Sequence, residues 1–156
     1  MSGVSFKVPF TVVLVISFTL VFAERFPTCQ YAFGHRGKLT LIMKTCQRTV
    51  RMSGSIDVVL QLRNLGSEEV ELSYSNSHVM DLFLYSLDGK LITWESKGCG
   101  FLQVLTDIAL QPGDVREWQV SWDRFSTTGV MVPGLYLLEG SMLYFGTNRL
   151  PILISP

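Results

Sequence analysis

Residues 56–63 read IDVVLQLR, and the order of side chains along this stretch decides the fold. In an extended chain Ile56, Val58, Leu60 and Leu62 fall on one side, while Asp57, Gln61 and Arg63 fall on the other. A period of two belongs to a strand with one buried face, whereas a helix would repeat its apolar residues every three to four positions. Just downstream, Asn64-Leu65-Gly66 supplies a turn, since Asn and Gly tolerate positive φ. Alternation then resumes in EVELSY, residues 69–74, with Val70, Leu72 and Tyr74 inward. The spacing predicts that these two strands form a hairpin.

Farther on, MDLFLYSL (80–87) is apolar on both sides except at Asp81, which predicts a strand near the middle of a sheet. Asp88-Gly89 is a strong signal for a tight hairpin, after which residues 90–94 return. SKGCG at 96–100 reads as a loop, residues 101–110 as an apolar run, and Gln111-Pro112-Gly113-Asp114 as a type II turn. VREWQVSW (115–122) sets Arg116, Trp118, Val120 and Trp122 on one face. Trp118 and Trp122 are expected in the core; on the surface the pair would instead make a platform for carbohydrate or protein. Residues 124–134 are irregular, 135–143 form a strand with Gly140 as a bulge, and 150–154 form a strand that Pro151 assigns to a sheet edge. Upstream, KLTLIM (38–43) is the first short run. About eight or nine strands with frequent turns, and no helical period, predict an all-β fold, an immunoglobulin-like two-sheet antiparallel β-sandwich.

A chain of 156 residues has room for one such domain. Its expected divisions are an apolar leader at 1–23, an N-terminal segment with the first strand at 24–54, and the sandwich at 55–156. With 47% hydrophobic and 17% charged residues the chain is too rich in core-forming side chains to be disordered. Thirteen basic residues balance thirteen acidic ones without a basic-aromatic cluster, so no nucleic-acid partner is expected. The run VPFTVVLVISFTLVFA (8–23), preceded by Lys7 and ending in Val21-Phe22-Ala23, has the layout of a secretory signal, with Glu24 as the mature start. The alternative is a retained signal anchor, although the run falls short of the about 20 residues that span a bilayer comfortably. A secreted or cell-envelope location is expected, with membrane attachment only through an uncleaved leader.

Exported cysteines tend to pair, and a Cys29–Cys46 bridge would tie the N-terminus to the sheet, leaving Cys99 free in its glycine-rich loop. The alternative is three unpaired thiols. No Cys-x-x-Cys occurs, and His35 and His78 stand far apart, so neither a metal nor another cofactor is expected. Catalytic motifs are missing as well: there is no G-x-S-x-G, H-E-x-x-H, Walker loop or G-x-G-x-x-G. Asp81 and Asp123 read as strand-end carboxylates that accept backbone N–H bonds. The acidic run Glu68-Glu69-Val70-Glu71 reads as a solvated face or as a steering patch for a basic partner. A non-catalytic, protein-binding module is the expected class.

A set of landmarks adds to this: VVLQLRN (58–64), EEVELSYSNS (68–77), MDLFLYSLDGK (80–90), Ser96 followed by Phe101, LQPGD (110–114), Trp122-Asp123 and VPGLY (132–136). In this order and spacing the stretch from about residue 57 to 144 resembles the BsuPI family of proteinase inhibitors. The chain departs from the family at Thr93 and Glu95, where tryptophans are usual, and carries Trp94 between them. The resemblance implies an immunoglobulin-like sandwich whose exposed loops block a protease, a serine protease being the expected class. The first candidate for contact with the partner is Lys97, Gly98 and Cys99, where Lys97 would enter a trypsin-like pocket. Arg124 and Phe125 are the second. The other reading is a structural or adhesive immunoglobulin-like domain of the cell envelope with no protease target.

Overall fold

In the computed structural model residues 28–123, 125, 131–142 and 145–156 are described; the leader at 1–23 and Arg124 lie outside them. The chain runs through β1 (Gln30–Arg36), β2 (Leu39–Thr45), β3 (Thr49–Arg51), β4 (Ile56–Asn64), β5 (Val70–Tyr74) and β6 (Met80–Tyr85). It continues through β7 (Leu91–Trp94), β8 (Thr106–Leu110), β9 (Val115–Trp122), β10 (Gly134–Met142), β11 (Phe145–Gly146) and β12 (Leu150–Ser155). One sheet has the order β1-β2-β4-β9, the other β3-β12-β10-β6-β7 with β11 against β10, and β5 and β8 form a separate ribbon. The fold is an all-β, immunoglobulin-like sandwich with more strands than the eight or nine expected. β1, with the short β3 and β11, accounts for the difference.

The alternation in β4 is the reason the sheets stack. Ile56, Leu60 and Leu62 are fully buried and Val58 nearly so, opposite residues of β10 and β6 such as Leu138, Leu82 and Leu84. The layers approach closely at Gly140, where an added Cβ would stand 2.5 Å from Leu60 Cδ2 and 3.2 Å from Met43 Sδ. Gly140 is therefore a point of close approach and is not itself bulged: it pairs in unbroken register with Leu82, and where the register slips on its other side, between the Leu138–Leu150 and Ser141–Gly146 pairs, the extra residue lies in the partner segment. Gly140→Val is expected to cost about 1–3 kcal/mol, the usual effect of overpacking a filled core. The denaturant midpoint should fall without a change of slope.

The expected hairpin of β4 with the next strand does not form. β4 pairs with β2 and β9, and β5 pairs with β8. The cause is Asn64, fully buried at the end of β4. Its Nδ2 donates to the carbonyls of Glu68 (2.7 Å) and Leu110 (2.9 Å), and its Oδ1 accepts the Gly66 N–H (2.9 Å). These bonds turn the chain out of the first sheet and fasten it to the strand that ends at Leu110. The expected edge strand is also placed differently. β12 lies between β10 and β3, but β3 covers only its end from Leu153 to Ser155, so Pro151 needs no donor on that side.

Cys29 and Cys46 are bonded. They sit just beyond the Gln30–Thr45 pair and close the open end of the β1–β2 hairpin, so they bracket two strands where the sequence showed one. Trp122 is 3% exposed, whereas Trp118 is half-buried on β9, the edge of its sheet, packed against the core.

Candidate functional site

β6 and β7 pair through Phe83 with Trp94 and Leu84 with Thr93, after which the chain leaves β7 into a long exposed segment. Its base is built on Asp81, the second residue of β6. Asp81 Oδ1 accepts the N–H groups of Leu82 (2.9 Å) and Ser96 (3.2 Å), and Oδ2 accepts the Ser96 hydroxyl (2.5 Å). The Glu95 N–H donates to the Leu82 carbonyl at 2.8 Å. A carboxylate with several N–H and O–H donors holds two strand ends together, which is the structural role expected of Asp81.

His78 Nε2 lies 3.2 Å from the same Oδ2, so His78, Asp81 and Ser96 come together although they are dispersed in sequence. Their order is not that of a Ser-His-Asp triad, in which the imidazole lies on the serine hydroxyl: here Asp81 stands between His78 and Ser96, and the Ser96 hydroxyl donates to the carboxylate. Beside this clamp Glu95 is half-buried; desolvation and then the charge of Asp81 raise its carboxyl above the usual range, with His78 opposing. Tyr74, buried in the wall of the adjoining cleft, has its phenol pushed up to about 12 by desolvation, so it stays neutral at physiological pH.

Above the base the chain makes two successive turns. The Lys97 N–H donates to the Trp94 carbonyl (3.2 Å) and the Cys99 N–H to the Ser96 carbonyl (3.0 Å), with Gly98 at φ 79° between them. That φ is open to glycine and strained for other residues, so Gly98 is a requirement of the turn. Lys97, Gly98 and Cys99 are exposed and Cys99 is a free thiol. The Lys97 ammonium lies 5.2 Å from the centre of the Trp94 ring, within range of a cation–π contact.

The second candidate segment is placed differently from the expectation. Phe125 is fully buried, edge-on to Trp122 with ring centres 6.1 Å apart, because an aromatic ring gains more from the core than from solvent. It is a core residue and does not face a partner. Arg124 lies outside the described residues; Gly134, where β10 begins, stands beside Ile154 at the Tyr85 end of the second sheet, whereas β7 delivers its loop at the Met80 end. Among the described residues no group of three or more His, Cys, Asp or Glu is arranged to hold a metal ion, and no helix is long and apolar enough to cross a membrane. Of the acidic run, Glu68 is paired with Lys38, which holds its carboxyl below the usual range.

Residues 101–105, which the sequence presents as one apolar run with 106–110, lie outside the strand. β8 starts only at Thr106, and every residue from 97 to 105 is exposed. The missed signal is that FLQVL lacks the alternation seen in TDIAL, where Ile108 and Leu110 are buried.

The family described as BsuPI, intracellular proteinase inhibitor, matches residues 43–144, from within β2 to just past the end of β10. No curated protein matches the chain. Among solved structures, β-glucosidase from Listeria innocua in complex with glucose is similar at 12% identity and a TM-score of 0.51, over 76% of this chain and 16% of the enzyme. The chain thus spans a small part of that protein. The C-terminal domain of wzt is similar at 13% identity and a TM-score of 0.51, over 87% of this chain and 85% of the domain. At such identities the likeness is one of fold alone.

Proposed function

Because the chain belongs to the BsuPI family of intracellular proteinase inhibitors, we propose that it is a non-catalytic binding module that blocks a protease with the loop following β7. The observation that carries this reading is the Asp81 clamp. An inhibitory loop binds well when its backbone is ordered before the encounter, since ordering on binding subtracts from affinity. Asp81 and Ser96 fix the point where the loop leaves the sheet, and Lys97, Gly98 and Cys99 stand exposed just beyond it. A serine protease is the proposed target. The signal-like run at 8–23 and the bridged Cys29–Cys46 pair support export to an oxidising compartment.

The test is inhibition of a panel of serine proteases by the full chain, followed by a double-mutant cycle. Asp81→Asn and Ser96→Ala should each weaken inhibition by about tenfold, and the double variant should lose little more than Asp81→Asn alone, because the Ser96 hydroxyl acts through its bond to Asp81. Additive losses would show that the clamp does not position the loop. A second reading rests on the Lys97 ammonium, which folds back over Trp94 and does not project. That arrangement favours a structural or adhesive domain, which inhibits nothing in the panel.

A further inference from the structure

We infer that the primary contact with the target is the apolar run at residues 101–105, and that Leu102 enters a pocket shaped for a large aliphatic side chain. This rests on the proposed inhibitory role and names the class of target.

Exposure comes first. Phe101 is 37% exposed, Leu102 72%, Val104 54% and Leu105 76%, four large apolar side chains within five residues and outside any strand. Single exposed apolar residues are ordinary, but a contiguous group of them marks an interaction surface. Residues 97–105 are also the longest exposed run among the described residues.

The run is held in place. The Leu102 carbonyl accepts the Ser77 N–H at 3.0 Å, and the Leu102 N–H donates to the Ser77 hydroxyl at 3.2 Å. Both backbone hydrogen-bonding groups of Leu102 are therefore fixed by the neighbouring β5–β6 connection. The Phe101 ring lies against the His78 imidazole with centres 4.1 Å apart, and His78 contacts the Asp81 carboxylate. The Val104 N–H donates to the Leu102 carbonyl at 2.9 Å. The Asp81 clamp thus fixes one end of the segment and Ser77 its middle. Ordered backbone under exposed apolar side chains is the arrangement that gives affinity at low entropic cost.

Chemistry then selects the pocket. From 97 to 105 the one charged residue is Lys97, already engaged over the Trp94 ring, and Gln103 is the other polar side chain. A deep acidic pocket of the trypsin type would gain little from Leu102 or Leu105. An apolar pocket would bury them, with Lys97 at the rim, where charges alter association more than affinity. Leu102 is the residue inserted because its own backbone is anchored while most of its side chain is free.

The experiment uses the full chain against three serine proteases, one preferring large aliphatic or aromatic residues, one preferring small aliphatic residues and one preferring Lys or Arg. Wild-type protein should inhibit the first best. Leu102→Ala should weaken that inhibition by about thirtyfold, the scale of a hot-spot residue, and Leu102→Lys should lose it while gaining inhibition of the Lys/Arg-specific enzyme. Lys97→Ala should change either value by less than about fivefold, as rim contacts do. Thermal unfolding should be unchanged in all three variants, because the positions are exposed. Wild-type inhibition confined to the Lys/Arg-specific enzyme and abolished by Lys97→Ala would overturn this inference and leave the inhibitory role standing. Unchanged inhibition by Leu102→Lys would do the same. Failure of wild-type protein on every protease removes the inhibitory role and this inference together.

Discussion

Phe125→Ala is expected to lower stability by about 3–5 kcal/mol, the range for removing a buried aromatic side chain. Phe125 has no exposed surface and meets Trp122 edge-on at 6.1 Å, a geometry that adds to the area it buries. Trp122 in turn ends β9 opposite Ile56, the first residue of β4, so the cavity would open at the end of β9 beside the start of β4. Natural domains are stable by only about 5–15 kcal/mol, so one ring here is a large share of the total. The midpoint of urea unfolding should fall sharply at constant slope, and inhibition by the folded fraction should stay at the wild-type level. Phe125→Leu, which keeps most of the volume, should lose much less. An unchanged midpoint in Phe125→Ala would return the residue to the surface and to the partner-facing role first considered for it.

Phe125 also shows where sequence stops informing. The strands were legible because alternation is a local property: the set Ile56, Val58, Leu60 and Leu62 faces inward whichever strand lies beside it. Pairing is not local. Nothing in VELSY says that it will join β8 and not β4; that choice is made by Asn64, whose amide reaches a carbonyl at Leu110, distant in sequence. Residues in irregular segments are harder still, since without a period there is no inside and outside to assign, and Arg124-Phe125 was read as a loop surface for that reason. The candidate site divides in the same way. SKGCG announced a loop through its glycines, and Asp81 was recognisable as a strand-end carboxylate, but its bond to Ser96 depends on the β6–β7 register. Phe101 to Leu105 looked like strand because apolar residues usually are; their exposure follows from Ser77 capturing the Leu102 backbone.

Loss of the Cys29–Cys46 bridge is expected to cost about 3 kcal/mol, as closure of a loop of this size constrains the unfolded chain. The cysteines are 17 residues apart and enclose the β1–β2 hairpin. The effect should be uneven along that hairpin. β2 buries Leu41 and Met43 completely and is paired on its other side with β4, so the core holds it without the bridge. β1 is the edge of its sheet, with Tyr31 and Phe33 largely exposed, and of its side chains Ala32 is buried. In the Cys29→Ser, Cys46→Ser double variant, β1 amides should exchange with solvent well before those of β2 and β4, a local opening ahead of global unfolding. The thermal midpoint should drop by an amount that reductant reproduces in the wild type, while Cys99→Ser changes neither, because that thiol is exposed and unbonded. Inhibition measured below the lowered midpoint should be unaffected, since the loop after β7 is anchored on the other sheet by Asp81 and on the β5–β6 connection by Ser77. Equal stability with and without the bridge would mean that the β1–β2 ladder alone fixes the N-terminal hairpin, and that oxidation contributes nothing to this fold.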